Sequence, residues 1–172
     1  LDTAEKCGLQ FPPLQPQTLE RLNGILGVGS LVSNPIDGGF GVLTSAENYI
    51  NSIKALEADP NIDMVLLQEG LPREPGSDRG EKYIAMVEDY TINHAVKPLA
   101  FITPVSHSQT DYSRALRAGA THVSFMQEAS RALRAIGAVA HSAHTVAMSS
   151  PENLLVPMNG EQQQHCAALA GS

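Results

Sequence analysis

A three-layer α/β/α sandwich with a mainly parallel sheet is the fold class this sequence predicts, and three observations predict it. Short runs such as IDMVLLQEG (62–70) and KPLAFITPV (97–105) place apolar residues at consecutive positions, the pattern of strands buried on both faces. Segments of helical periodicity separate these runs, and parallel neighbours need such long crossovers. The 172 residues are 42% apolar and 17% charged, with 5% aromatics and no Trp, which is enough for one domain with a core of Leu, Ile, Val and Ala.

Taken in order, LDTAEKCG (1–8) reads as the last turns of a helix stopped by Gly8, and LQFPPLQPQ (9–17) as an extended, Pro-rich connector. TLERLNGIL (18–26) is a short helix, and SLVSNPID (30–37) leads into a first strand. Over 44–58, Ala46, Tyr49, Ile50, Ile53 and Leu56 recur at helical spacing. The turn signal DPN and Gly70 bound the strand over 62–70. After the loop LPREPGSDRG come a helix over 80–95, the strand in KPLAFITPV, a helix over 109–118 closed by Gly119, a short strand in THVSF, and an amphipathic helix over 127–143. The spans expected are residues 1–14 as the tail of a preceding module with its connector, 15–143 as the domain, and 144–172 as a loosely ordered arm. A start at Leu1 inside a helical pattern reads as a piece of a longer polypeptide.

A net charge of −7 disfavours nucleic acid and anionic membrane as main partners, and no apolar run approaches spanning length. No basic-then-apolar leader opens the chain. Cys7 and Cys166 lie far apart with no C-x-x-C or Cys/His ligand spacing, so neither a disulfide framework nor a metal site is expected, and a cytoplasmic setting fits best.

In such folds ligands gather at the carboxyl ends of the strands, which places 37–43, 69–79 and 103–110 along one rim. Its best-formed feature is NPIDGGFGVLTSAE (34–47). Thr44 as N-cap and Glu47 reaching back would make a capping box. Gly38, Gly39 and Gly41 carry no side chain to block approach to the positive end of the helix, where phosphate or carboxylate is the natural occupant. The bland reading is a chain turn and a stabilised helix; the full G-x-G-x-x-G is missing and there is no P-loop Lys.

Other chemistries fit less well. Asp37 at a strand end and the Lys97-Pro98 pair suggest a phosphoacceptor receiver domain, but that pair precedes its strand instead of following it. Phe40 alone is thin support for stacking on FMN. His107 in its rim loop reads as a solvated side chain, His94 as a helix C-terminal cation, and His141 with His144 as a surface pair lacking a third ligand. Glu69, followed by Arg73, Glu74, Asp78 and Arg79, reads as a set of solvated ion pairs in preference to a substrate clamp. No Ser-His-Asp or Cys-His constellation is present, so no catalytic residue is assigned.

The ordered set GLQFPPLQPQTLERLNGIL, SNPIDGG, a capped helix, ALEADPNIDMVLLQEG, KPLAFIT and EASRALRAIG resembles one module of the NDP-forming acyl-CoA synthetases, the succinyl-CoA-ligase-like family. The family's Asn-Pro-x-Asp motif is matched by Asn34, Pro35 and Asp37, and its Asp-Pro-x-Val-Asp turn by Asp59, Pro60, Ile62 and Asp63. The likeness spans residues 8–140. It implies a flavodoxin-like domain, and a parent enzyme that makes acyl-CoA from an acid, CoA and ATP or GTP with magnesium through a phosphohistidine. On that likeness Gly38, Gly39 and Gly41 open the backbone path, and the amides around Thr44, Ser45 and Ala46 face the phosphoryl group. The partners implied are the CoA-binding, phosphohistidine and ATP-grasp modules of the parent, with a homo-oligomer also compatible. The phosphohistidine loop, a Rossmann CoA-binding domain and an ATP-grasp domain have no counterpart in this sequence, and FGVL (40–43) is bulkier than the family's glycine passage. No cofactor is therefore expected to bind this chain alone, which should be catalytically silent. The alternative is a non-enzymatic flavodoxin-like binding or assembly module.

Overall fold

The computed structural model describes residues 2–39, 42, 45–76 and 78–148. A three-stranded parallel sheet, in the order β1-β2-β3, is flanked by helices, as in a flavodoxin-like α/β/α fold. The elements are α1 (Asp2–Lys6), α2 (Pro16–Leu26), α3 (Ala46–Glu57), β1 (Val65–Gln68), α4 (Asp78–Asn93), β2 (Leu99–Thr103), α5 (Asp111–Gly119), β3 (Ser124–Gln127) and α6 (Ala129–Met148).

Each expected helix is present with shifted ends. Pro16 opens α2, where its missing N–H costs nothing, and Gly27 ends it at φ +72°, its N–H on the Asn23 carbonyl. Thr18, Leu22 and Leu26, four apart, form the buried stripe of α2, which packs on α3. Ile53 of α3 is fully buried while Tyr49, Ile50 and Leu56 pack at the edge of the same core. The final helix runs to Met148, five residues beyond the expected end, so the arm expected from residue 144 begins inside α6; residues 149–172 lie outside the described residues.

β2 is the central strand, and Leu99, Ala100 and Phe101 are all buried, as the continuous apolar run predicts. The register pairs Val65 with Leu99 and Phe101 with Phe125, whose rings stack at 5.0 Å. α3 packs against β1, and α6 against β2 and β3.

The strand expected from 30–37 is not formed. Leu31 and Asp37 instead exchange both backbone hydrogen bonds (2.8 and 3.0 Å) in an isolated antiparallel bridge, and the Ser33 hydroxyl donates to the Pro35 carbonyl. Pro35 offers no N–H for a ladder, so the segment closes on itself around the cis Asn34-Pro35 bond.

The N-terminal segment is bound into the domain. Leu14 is in the core, and the Asn34 and Asn61 side-chain amides donate to the carbonyls of Pro12 and Pro13. α1 packs on α6 where Gly137 meets the Cys7 carbonyl: a Cβ there would lie 2.4 Å from that oxygen, so the contact requires glycine.

Candidate functional site

The loops expected to share the carboxyl rim do meet. The Thr110 hydroxyl donates to the Arg73 carbonyl (2.7 Å) and the buried Ser113 hydroxyl to the Pro72 carbonyl (2.8 Å), which ties 103–110 to 69–79. Thr110 also caps α5 by accepting from the Ser113 N–H. The Tyr83 hydroxyl on α4 donates to the Val42 carbonyl (2.6 Å), bringing the glycine-rich segment to the same end.

The helix start differs from the capping box expected at Thr44. The N-cap is Ser45, whose hydroxyl accepts from the Asn48 N–H (3.2 Å), and Ala46 is the first helical residue. With Ser45 as N-cap the third helical position is Asn48, so Glu47 does not stand where a box partner would sit. Thr44 and Gly41, named for the phosphate-facing site, lie outside the described residues, as does Phe40.

Gly38 and Gly39 have requirements within the chain itself. Gly39 sits at φ +53°, and a Cβ on it would lie 2.5 Å from the Gly29 carbonyl. A Cβ on Gly38 would press on the Val42 side chain at 2.5 Å. Asp37 turns the chain into this passage by accepting the Gly39 N–H (3.0 Å), while Asn34 of the same motif anchors to Pro12.

Beside the passage lies a cluster that the sequence reading treated as loop charges. Arg79 approaches Glu69 at 3.4 Å and covers the Tyr83 ring at 5.1 Å; Tyr49 meets that ring edge-on at 4.6 Å. Burial, and next the Glu69 charge, push the Tyr49 phenol well above its ordinary range, so it stays a donor. Among the described residues nothing accepts from this hydroxyl. His107 is exposed and its N–H donates to Gln127 (2.8 Å).

Three carboxylates, of which only Asp59 falls in a sequence motif, turn out to be structural hubs. Glu57, 4% exposed, accepts from the Val96 and Lys97 N–H groups (3.0 and 2.9 Å) and from the Tyr90 hydroxyl. Asp59, wholly buried, accepts from the Gln15 and Asn61 N–H groups (2.8 and 2.9 Å). Burial alone would raise its pKa, but those N–H groups, the Thr18 hydroxyl and the Lys97 charge prevail and hold it low. Lys97 is itself committed to the Asp59 carbonyl (2.6 Å), which removes the receiver-like reading of Lys97-Pro98. Glu88 gathers the N–H groups of Thr121, His122 and Val123 and the His122 ring, where burial opposes and these partners outweigh it to lower the pKa.

A solved protein shares this fold. The crystal structure of PH0766 from Pyrococcus horikoshii OT3 aligns with a TM-score of 0.55 at 23% identity, covering 79% of this chain and 31% of PH0766. At that identity the likeness is one of fold, and this chain corresponds to under a third of that protein's length. No protein-family model matches the chain, and no curated protein does. Among the described residues no helix is long and apolar enough to cross a membrane.

Proposed function

We propose that this chain is a module of an NDP-forming acid–CoA ligase whose α3 N-terminus helps stabilise a phosphohistidine intermediate and whose rim docks against other modules of the parent. The observation that carries the reading is the junction of the Asn34-Pro35-Asp37 turn and the Ser45-capped start of α3 at the carboxyl rim. There the first amides of α3 present a preorganised positive end, suited to a dianion that develops no charge reorganisation in the protein. The ordered motif set of the sequence supports the same reading, as does the shared fold with part of a longer solved protein.

This reading assigns acyl-CoA formation to the parent. Incubating the parent polypeptide with γ-labelled ATP should give acid-labile, base-stable phosphate that CoA plus the correct acid discharges. A folded, nucleotide-binding parent that takes up no label would overturn the ligase reading.

A second reading, a non-enzymatic binding or assembly module, is favoured by one specific finding: Gly38 and Gly39 are both needed to pack the chain on its own Val42 and Gly29. Phosphate titration separates the two. The ligase reading expects the largest amide shifts at Ser45–Asn48, and the assembly reading expects none there.

A further inference from the structure

At the amino end of the sheet, opposite the rim, a cleft of about 360 Å³ lies between the C-terminal turns of α3 and α4. Arg21 from α2, Lys54 from α3 and His94 after α4 line it, with Tyr90 and Val96 beside them. In a chain of net charge −7 the meeting of Arg21 and Lys54 in one cleft runs against the average. Lys54 and His94 both border the Tyr90 ring, at 5.9 and 5.8 Å, which positions each against a rigid aromatic surface.

One acid lines the cleft beside these side chains, and it is bound to the protein's own donors. Glu57 is the carboxylate lining the cleft, and its oxygens take two backbone N–H groups and the Tyr90 hydroxyl. Among the described residues no carboxylate lies within ion-pairing distance of Arg21 or Lys54, both exposed. A helix C-terminus accounts for a cation such as Lys54 in the last turn of α3. It does not account for Arg21, which comes from the middle of another helix. Arg21 brings a planar set of donors suited to an oxyanion, and Lys54 a mobile point charge.

We propose that this cleft binds a small ligand through an oxyanion, phosphate or carboxylate, received by Arg21 and Lys54 with His94 at its edge. Val96, 79% exposed, gives the ligand an apolar wall beside the charged end. The site stands on the cleft alone and does not depend on the ligase reading, whose phosphate would bind at the far end of the sheet.

Titration of the full 172-residue chain with inorganic phosphate, and separately with acetate, at constant ionic strength tests this by amide and side-chain shifts. The expected result is a saturable set of shifts at Arg21, Lys54–Ala58 and His94–Val96 with at least one of the two anions; which anion saturates identifies the source. Arg21→Gln and Lys54→Gln should each weaken that binding about tenfold, the loss of one charge-assisted contact, in variants that stay folded because both positions are exposed. Shifts that chloride reproduces, or that both variants leave unchanged, would overturn the site and leave Arg21 and Lys54 as solvated surface charges. Shifts confined to Ser45–Asn48 would likewise overturn it while supporting the rim reading.

Discussion

Asp59 shows how much a single buried side chain can hold. Its carboxylate ties the start of α2, through the Gln15 N–H, to the turn before β1, through the Asn61 N–H. Because its folded pKa lies below the ordinary carboxylate range, its contribution is present above that range and is lost as pH falls through the folded value. Asp59→Asn should therefore cost about 1–3 kcal/mol at neutral pH and flatten the acid limb of stability, as read from urea midpoints at several pH values. Tyr49 makes the converse case. Its hydroxyl is buried with no acceptor among the described residues, so Tyr49→Phe should leave stability unchanged or raise it by up to about 1 kcal/mol; a clear loss would reveal an acceptor for that hydroxyl. Neither role can be seen in residue spacing. Asp59 could be named only as part of a turn motif, and Tyr49 only as one apolar position on a helix.

At the level of elements, periodicity located the helices because burial along one face recurs every three or four residues, and Thr18, Leu22 and Leu26 do so in α2. The continuous apolar runs located β1 and β2 for the matching reason that parallel strands are buried on both sides. The run over 30–37 misled because SLVS has strand chemistry while Asn34-Pro35 reverses the chain, and the reversal prevailed. Glu88 supplies a link between elements that local patterns do not report: from α4 it holds three successive N–H groups ahead of β3. Glu88→Ala should cost about 1 kcal/mol, since water can reach the exposed Thr121 and His122 donors while Val123 is buried, and should speed amide exchange at Thr121–Val123 ahead of global unfolding. Exchange unchanged at those amides would mean that water replaces the carboxylate without loss.

For the whole molecule, the boundary of the domain is the point where reading and structure part most usefully. Residues 1–14 read as the tail of a preceding module, yet Leu14 is in the core, Pro12 and Pro13 accept from Asn34 and Asn61, and α1 lies on α6. Deleting 1–14 should lower the melting temperature by about 10 °C or more, the effect of losing several kcal/mol in a chain of this size. An unchanged melting temperature would show that the segment belongs energetically to something else.

The sequence by itself determined the class of the fold, the parallel order of helix and strand, and the rim on which loops would meet. These follow from local burial patterns and from the need of parallel strands for long crossovers. Only the tertiary structure decided that Ser45 caps α3, that Gly38 and Gly39 pack on Val42 and Gly29, and that Arg21, Lys54 and His94 line one cleft. Those outcomes join residues far apart in the chain, as Gln15 and Asp59 are joined across 44 positions and Lys97 and Glu57 across 40. Spacing along a chain encodes which face is buried; it does not encode which buried partner a charge will find once the layers have packed.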